Sequence, residues 1–481
     1  MEIDEKLIEQ IVRNVVDKVA ATSYSGTLSS SGASNYSTKV NKDGPLFDNI
    51  ETAIAAAKEA QKRFVDLGRD IRYGIVESIR KASLANAEKW AKMAVEETGM
   101  GRVEDKIIKN IVAAERTLGP EDLELKSYSR CCTDNGTLTV DMAPYGVIAA
   151  ITPMTNPAPM IINNTIIMIS AGNSVVFLPH PSAKKVTLDA LLVVHQAIVD
   201  AGGPENLITS TKEPNINNAS ICMAHKDIDL ICATGGPAIV QIAMKSGKKV
   251  LGAGPGNPPV LVDDTADIAR AAREIVAGAS FDNNILCNEE KVLICMRSVA
   301  DKLLNELSKN NCMILNSEEA QRVTNLVVKN GEIDKKLMGK DCAVILKQAG
   351  INAKDDLRLA VFVANDEMHP LVQHEQLMPI LPMVIVETFE EGVRMACRVE
   401  HGFKHTAIIH SNNIERITYF AQEINTTTVQ VNGSSQRSGG DLHNGGTSWT
   451  IAGATGEGCT TPRSFTRQRR LSIYGAMNFV K

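Results

Sequence analysis

From Gly146 onward, short apolar runs alternate with helical ones, and that alternation narrows the possible folds more than any other feature of this chain. Val147–Ile151, Ser174–Phe177, Leu207–Ile208, Leu230–Ala233, Lys249–Leu251 and Val260–Val262 are predicted as strands. Pro181–Asp200 and Pro237–Ser246 are predicted as helices between them. Strands interleaved with helices predict a mostly parallel sheet covered on both faces. A second α/β run begins after Ala266. Its predicted helices are Ile268–Ala279 and Ser298–Asn310, and its predicted strands are Ala343–Lys347, Leu359–Ala364, Met383–Val386 and Thr406–His410. Ahead of both runs, helical periodicity covers 50–67, 71–98 and 103–118. Thr137–Met142 alternates as a strand after the turn signal Asp134-Asn135-Gly136. The fold class is therefore α/β.

At 481 residues the chain exceeds what one core organises, so two large domains are expected. The formal net charge of −5 gives no electrostatic reason to expect nucleic acid as a partner. The longest apolar stretch, Val147 to Leu178, is interrupted by Pro153, Pro157, Pro159, two Asn and Gly172, so no membrane span is expected. Ten cysteines form no C-x-x-C pair and no regular framework, which suits reduced cytosolic thiols, most of them in the core. Nine histidines show no metal-binding spacing, so no metal site is expected.

The N-terminal segment stands apart from the α/β pattern. Ile3, Leu7, Ile8, Ile11, Val12, Val15, Val16 and Val19 make one apolar stripe on a helix spanning 1–20. The stretch from Thr22 to Thr38 is nearly all Ser, Thr, Gly, Asn and Tyr, a composition that buries too little apolar area to order itself. The acids at positions 2, 4 and 5 argue against a secretory signal and a transit peptide, and the mixed polar face argues against a membrane-surface helix. Packing back on its own globule stays open. An amphipathic helix on a polar tether resembles the encapsulation peptides that dock enzymes on the shell proteins of bacterial microcompartments.

One cysteine sits in a setting fit for chemistry. Phe281-Asp282-Asn283-Asn284-Ile285-Leu286-Cys287-Asn288 is an amide-rich, otherwise loop-like segment between a helix and a strand predicted at Lys291–Cys295. A thiol is nucleophilic as its thiolate, which needs polar surroundings, so Cys287 is the candidate nucleophile. Cys222, Cys232, Cys295, Cys342 and Cys397 lie in apolar stretches and read as core; Cys131 and Cys132 lie in a polar turn.

The order of landmarks over residues 45–481 resembles the aldehyde dehydrogenase superfamily, and within it the CoA-acylating branch. Ala150-Ile151-Thr152-Pro153-Met154-Thr155-Asn156-Pro157 is similar to the loop whose asparagine amide holds the oxyanion. Val175-Val176-Phe177-Leu178-Pro179-His180-Pro181 resembles the strand and loop that meet the cofactor's adenosine end. Ala233-Thr234-Gly235-Gly236-Pro237 resembles the glycine turn beneath its phosphates, and Glu375-x-x-x-Pro379 the glutamate that holds the nicotinamide ribose. The resemblance implies catalytic roles for Cys287 and Asn156. It implies cofactor contacts at Thr152, Pro153, Pro179, His180, Gly235, Gly254 and Glu375. Read without it, Asn156 is a loop-capping amide between prolines and Glu375 a solvated surface acid. It further implies NAD as cofactor, a short-chain aldehyde and CoA as substrates, and a homo-oligomer, dimer or tetramer. The implied map runs 1–20 encapsulation helix, 21–42 linker, 43–252 Rossmann-type cofactor domain with an oligomerisation hairpin at 128–143, 253–455 catalytic domain, and 456–481 C-terminal oligomerisation segment. The implied location is cytoplasmic, within a microcompartment.

Two departures from the family pattern carry information. Where hydrolytic relatives place a water-activating glutamate, this chain reads Leu251-Gly252-Ala253-Gly254-Pro255-Gly256-Asn257, without a carboxylate. Water ionises near pH ~15.7 and a thiol near ~8.5, a gap of about 10 kcal/mol at ~1.36 kcal/mol per unit. Acyl release to a thiol, CoA, is therefore expected over release to water. The glycines of this stretch mimic a dinucleotide fingerprint but read better as a tight turn making room near Cys287. The second departure is Leu178, where many relatives carry a ribose-contacting lysine, and it leaves the choice between NAD and NADP open. Two other readings compete: a hydrolytic dehydrogenase releasing free acid, and a non-catalytic scaffold bound to the shell.

Overall fold

The computed structural model describes residues 44–124, 131–133, 136–437 and 446–476. The predicted helix at 1–20 and the linker at 21–42 lie outside them. The chain divides into two compact units. One holds the described residues up to Leu84, Thr117–Gly252 and those from Thr460 on; the other holds Ala85–Arg116 and Ala253–Cys459. Residues 85–116 thus belong with the second unit, a grouping that the expected 43–252 and 253–455 split does not contain.

The first unit is built on a six-stranded sheet in the order Leu46–Phe47, Ile208–Thr211, Ser174–Leu178, Val147–Ile151, Leu230–Thr234, Lys249–Ala253. The registered pairs of the first five strands are all parallel. Helix Ile50–Asp66 starts where the Asn49 side chain accepts the Thr52 N–H at 2.8 Å, and its Ile50, Ala53, Ile54 and Ala57 pack on Val147, Ala149 and Val176. The proline-interrupted stretch after Ile151 hides a helix, Pro157–Ser170, buried along its whole length. Pro157 does not break it, because a first-turn proline lacks only an N–H that has no helical partner anyway.

The second unit holds a seven-stranded parallel sheet ordered Cys312–Leu315, Leu359–Val363, Ile380–Val386, Val292–Met296, Pro259–Val262, Thr406–His410, Thr428–Val431. Alternate residues of its strands feed two cores. Leu261, Ile294 and Val384 join one, and Val260, Val262, Leu293, Cys295 and Met383 the other. A strand buried on both faces reads as a continuous apolar run, which is why these strands were visible in the sequence.

One predicted strand is wrong. Ala343–Lys347 lies in helix Cys342–Gln348, which buries Cys342, Ala343, Ile345 and Leu346 and exposes Val344. A run of five apolar residues carries too little period to separate a buried turn of helix from a strand. Strands Cys312–Leu315 and Thr428–Val431 and helices Ser317–Val327, Phe389–Val399 and Ile414–Ile424 were not anticipated. Cys397 is half-buried, its thiol near the Glu423 carbonyl at 3.5 Å, and not a core residue as expected. A separate antiparallel sheet of three strands, Cys131–Thr133, Gly136–Pro144 and Thr466–Tyr474, joins the expected hairpin to the C-terminal segment through nine registered residue pairs.

Candidate active site

In the first unit, the sheet changes direction at Val147–Ile151. The strands that follow it in sequence lie on one side, at Ser174–Leu178 and Ile208–Thr211, and then on the other, at Leu230–Thr234. Ligands of open α/β sheets bind at the carboxyl ends of strands flanking such a switch. Ile151 is registered against Leu178 on one side and Ala233 on the other, so three strand ends lie level. The residues that follow them are Thr152 and Pro153, Pro179 and His180, and Gly235. The structure thus brings five of the seven expected cofactor contacts to one edge. Helix Pro237–Met244 begins there at Gly236 with no side-chain cap, and a side chain at Gly236 would meet nothing within 4 Å. Uncapped N–H groups and open space at the helix start suit a pyrophosphate. The edge fits a dinucleotide.

Two side chains on this edge keep polar atoms in reserve. Thr152 is buried with its Oγ1 unpartnered. Asn156 precedes helix Pro157–Ser170 but does not cap it; its Nδ2 donates to Thr155 Oγ1 at 3.2 Å and its Oδ1 has no partner. The loop-capping reading of Asn156 has no bond behind it. His180 is otherwise engaged, with Nδ1 accepting the Ser182 N–H at 3.1 Å, and burial lowers its pKa.

In the second unit, helix Ile268–Ala279 runs into a tight turn at Phe281–Asn284, and Cys287 follows, partly exposed. Gly256 explains the glycine-rich stretch. A Cβ there would stand 2.3 Å from the Cys287 carbonyl oxygen and 3.2 Å from Cγ of His405. The turn makes room beside Cys287, as read from the sequence. Its N–H donates to Glu375 Oε1 at 3.2 Å. Gly254, by contrast, faces open space, with no neighbour that a side chain would strike.

The electrostatics are set mainly by burial. The Cys287 thiol is pushed up to about 12, first by burial and then by the Glu375 carboxyl, against a smaller opposing pull from Lys291. Glu375 is itself raised to about 7 by burial, so it is no solvated surface acid. Glu289 is wholly buried and raised well above the usual carboxyl range, again by burial; its Oε2 accepts the Leu286 N–H at 3.0 Å. Two carboxyls therefore act on the thiol that the reading of 251–257 did not count. Lys291 is fully buried, lowered by burial, and donates to the carbonyls of Asn284 at 2.7 Å and Leu286 at 3.0 Å.

His405 was missed. It is buried, its Nδ1 pairs with Thr406 Oγ1 at 2.9 Å, and its Nε2 has no partner. Burial, and then Lys291, lower its pKa to about 4, so the ring is neutral at pH 7. Nothing local marks a histidine at the start of a strand as reactive. Only the approach of Gly256 to both His405 and Cys287 does so.

One chain that carries both a cysteine-bearing turn after a helix and, in its other unit, a doubly wound dinucleotide edge is a combination that comparison with known proteins resolves. The aldehyde dehydrogenase family profile matches residues 46–467. The chain belongs to the aldehyde dehydrogenase family. This aldehyde dehydrogenase is 40% identical to the acetaldehyde dehydrogenase (acetylating) EutE of Salmonella typhimurium, over 99% of this chain and 100% of the relative. Among solved structures it matches a propionaldehyde dehydrogenase from the Clostridium phytofermentans fucose utilisation bacterial microcompartment at 41% identity, covering 91% of this chain and 100% of that one, with a TM-score of 0.88. It also matches the Rhodopseudomonas palustris propionaldehyde dehydrogenase with bound CoA and an acylated cysteine, at 41% identity over 91% and 99% of the two chains, TM-score 0.87.

Proposed function

We propose that this protein oxidises a short-chain aldehyde to its acyl-CoA, reversibly, with NAD as hydride acceptor. The observation that carries the reading is Cys287 on a polar turn, flanked across Gly256 by the Glu375 carboxyl and the neutral His405 ring. The thiolate adds to the aldehyde carbonyl to give a thiohemiacetal. The Asn156 amide and the Cys287 N–H stabilise its oxyanion. Bound NAD supplies the two-electron oxidation. The resulting thioacyl-enzyme is then cleaved by CoA thiolate, which restores Cys287 and leaves the acyl group on CoA. Thr152, Pro153, Pro179, His180, Gly235 and Glu375 hold the dinucleotide.

A thiol above its usual range is a poor nucleophile at neutral pH, so Cys287 must lose its proton as substrate enters. Glu375, raised to about 7, accepts a proton in that range, whereas His405, lowered to about 4, stays neutral. Product analysis with and without CoA tests the reaction. The CoA-dependent rate is expected to exceed free-acid release by at least tenfold; comparable acid formation without CoA would mean that water, not a thiol, resolves the intermediate.

The microcompartment setting of the solved propionaldehyde dehydrogenase supports a matching location for this enzyme, with residues 1–20 as the shell-docking helix. Deleting residues 1–20 is expected to leave specific activity unchanged and to abolish co-purification with shells. Burying Ile3, Leu7, Ile11 and Val15 would contribute ~1.5–3 kcal/mol each before ordering costs. Retained co-purification would refute the docking role. The three-stranded sheet that unites the hairpin with Thr466–Tyr474 supports a homo-oligomer.

A further inference from the structure

The turn that leads to Cys287 is held in a conformation that Asp and Asn adopt singly but seldom in succession. Asp282, Asn283 and Asn284 are consecutive non-glycine residues with φ of +42°, +58° and +61°. Asn and Asp visit left-handed backbone as single residues, but three in succession persist only where the surroundings impose it. The constraint at Asp282 comes from far along the chain. Its Oδ2 accepts Lys106 Nζ at 2.9 Å and Lys109 Nζ at 2.6 Å, and its Oδ1 accepts the Arg102 N–H at 2.7 Å. Its own N–H donates to Asp105 Oδ2 at 2.9 Å, and that carboxylate is bridged to Arg358 at 2.6 Å.

The chemistry of this cluster is costly to bury. The side chains of Lys106, Lys109 and Asp282 are 5%, 2% and 0% exposed. Two ammonium groups share one fully enclosed carboxylate, where an apolar cluster would serve stability at least as well. The two lysines stand three residues apart on helix Val103–Arg116, so one helix face carries both cations to the turn. Gly101 fits the same design, since a Cβ there would lie 2.0 Å from Asp282 Oδ1. A strained turn and an enclosed ion cluster converge on the segment that carries the thiol.

We infer that Lys106 and Lys109 are positioning residues, which lock the Phe281–Asn284 turn through Asp282 and so fix where the Cys287 thiol is presented. The inference rests on Cys287 being the nucleophile. Removing one ammonium leaves Asp282 with half of its cationic partners, and the turn relaxes toward right-handed backbone. A displacement of about 1 Å at a reacting group costs about 100-fold.

Lys106→Met and Lys109→Met test this in the full-length enzyme, at a temperature where circular dichroism reports each variant as folded. The expected result is a fall in kcat of about 10- to 100-fold. The rate of Cys287 alkylation by iodoacetamide should fall with it, while KM for NAD is unchanged and Lys109→Arg regains most of the loss. A purely structural role would lower the melting temperature but leave the kcat and alkylation rate of folded enzyme at wild-type values, and that outcome overturns the inference. Should neither methionine variant fold, Asp282→Asn keeps the acceptor for the Arg102 N–H, removes the charge, and carries the same expectation and the same refutation. Cys287→Ala serves as the alkylation blank. Activity surviving in that variant would sink the nucleophile assignment itself, a result separate from any outcome with the lysines.

Discussion

Cys287→Ala enzyme is expected to make no measurable acyl-CoA. Deleting the nucleophile of a covalent acyl-transfer enzyme lowers kcat by about a million-fold in the best-measured hydrolase. Among the described residues, the groups near the turn are poorly placed to replace it: Glu289 is enclosed, Lys291 is fully buried with its ammonium on backbone carbonyls, and the His405 ring lies across Gly256. Folding should survive, because Cys287 is partly exposed and its loss opens little cavity. NAD binding should survive as well, since five of the expected dinucleotide contacts, Thr152, Pro153, Pro179, His180 and Gly235, lie on another compact unit, and the substitution leaves the Glu375 side chain in place. Cys287→Ser is expected to be equally inactive, because a hydroxyl ionises far less readily than a thiol. The readouts are acyl-CoA formation, NAD binding by fluorescence and the thermal midpoint. Near-wild-type turnover in the alanine variant would reject the assignment and direct attention to Cys131, Cys132 and Cys459.

Asn156→Ala is expected to lower kcat by about 100- to 1000-fold, the usual loss when one oxyanion donor is removed. Its thermal midpoint should scarcely move. A true N-cap asparagine stabilises its helix by about 1 kcal/mol, but the Asn156 side chain makes no cap bond to helix Pro157–Ser170. Asn156→Asp separates the two roles further. A carboxylate at that position favours a helix N-terminus, so folding is unharmed or improved, yet it repels a developing oxyanion and should be slower than the alanine variant. Full activity in Asn156→Ala, or a large loss of stability without loss of kcat, would return Asn156 to a structural role.

Much of this molecule was legible in its residues because the deciding information is local. Helices Ile71–Thr98 and Ile268–Ala279 and strands Val147–Ile151 and Thr406–His410 have the bounds that periodicity predicted. Each is long enough, or apolar enough, for its own side chains to state the pattern. The order Thr152, Asn156, Pro179, Gly235, Cys287, Glu375 carried the family for the same reason: each landmark is a short motif beside its own turn. Where the local signal was short, as at Ala343–Lys347, the packing of Cys342, Ile345 and Leu346 decided helix over strand.

The chemistry around Cys287 was settled by residues far from it in sequence. Gly256 meets Glu375 across 119 positions, and Asp282 meets Lys106 and Lys109 across 176 and 173. The amide-rich sequence marked a polar loop, but its left-handed backbone, its enclosed ammonium groups and the His405 ring beside Gly256 arise only when distant segments pack. Burial then acts on those groups together, raising the thiol and Glu375 and lowering His405, through a loss of solvent that no single residue's identity specifies. The residues alone specified the long or strongly apolar elements and which cysteine stands among polar neighbours. The tertiary structure alone decided what surrounds that thiol, because desolvation and charge pairing depend on proximity in space.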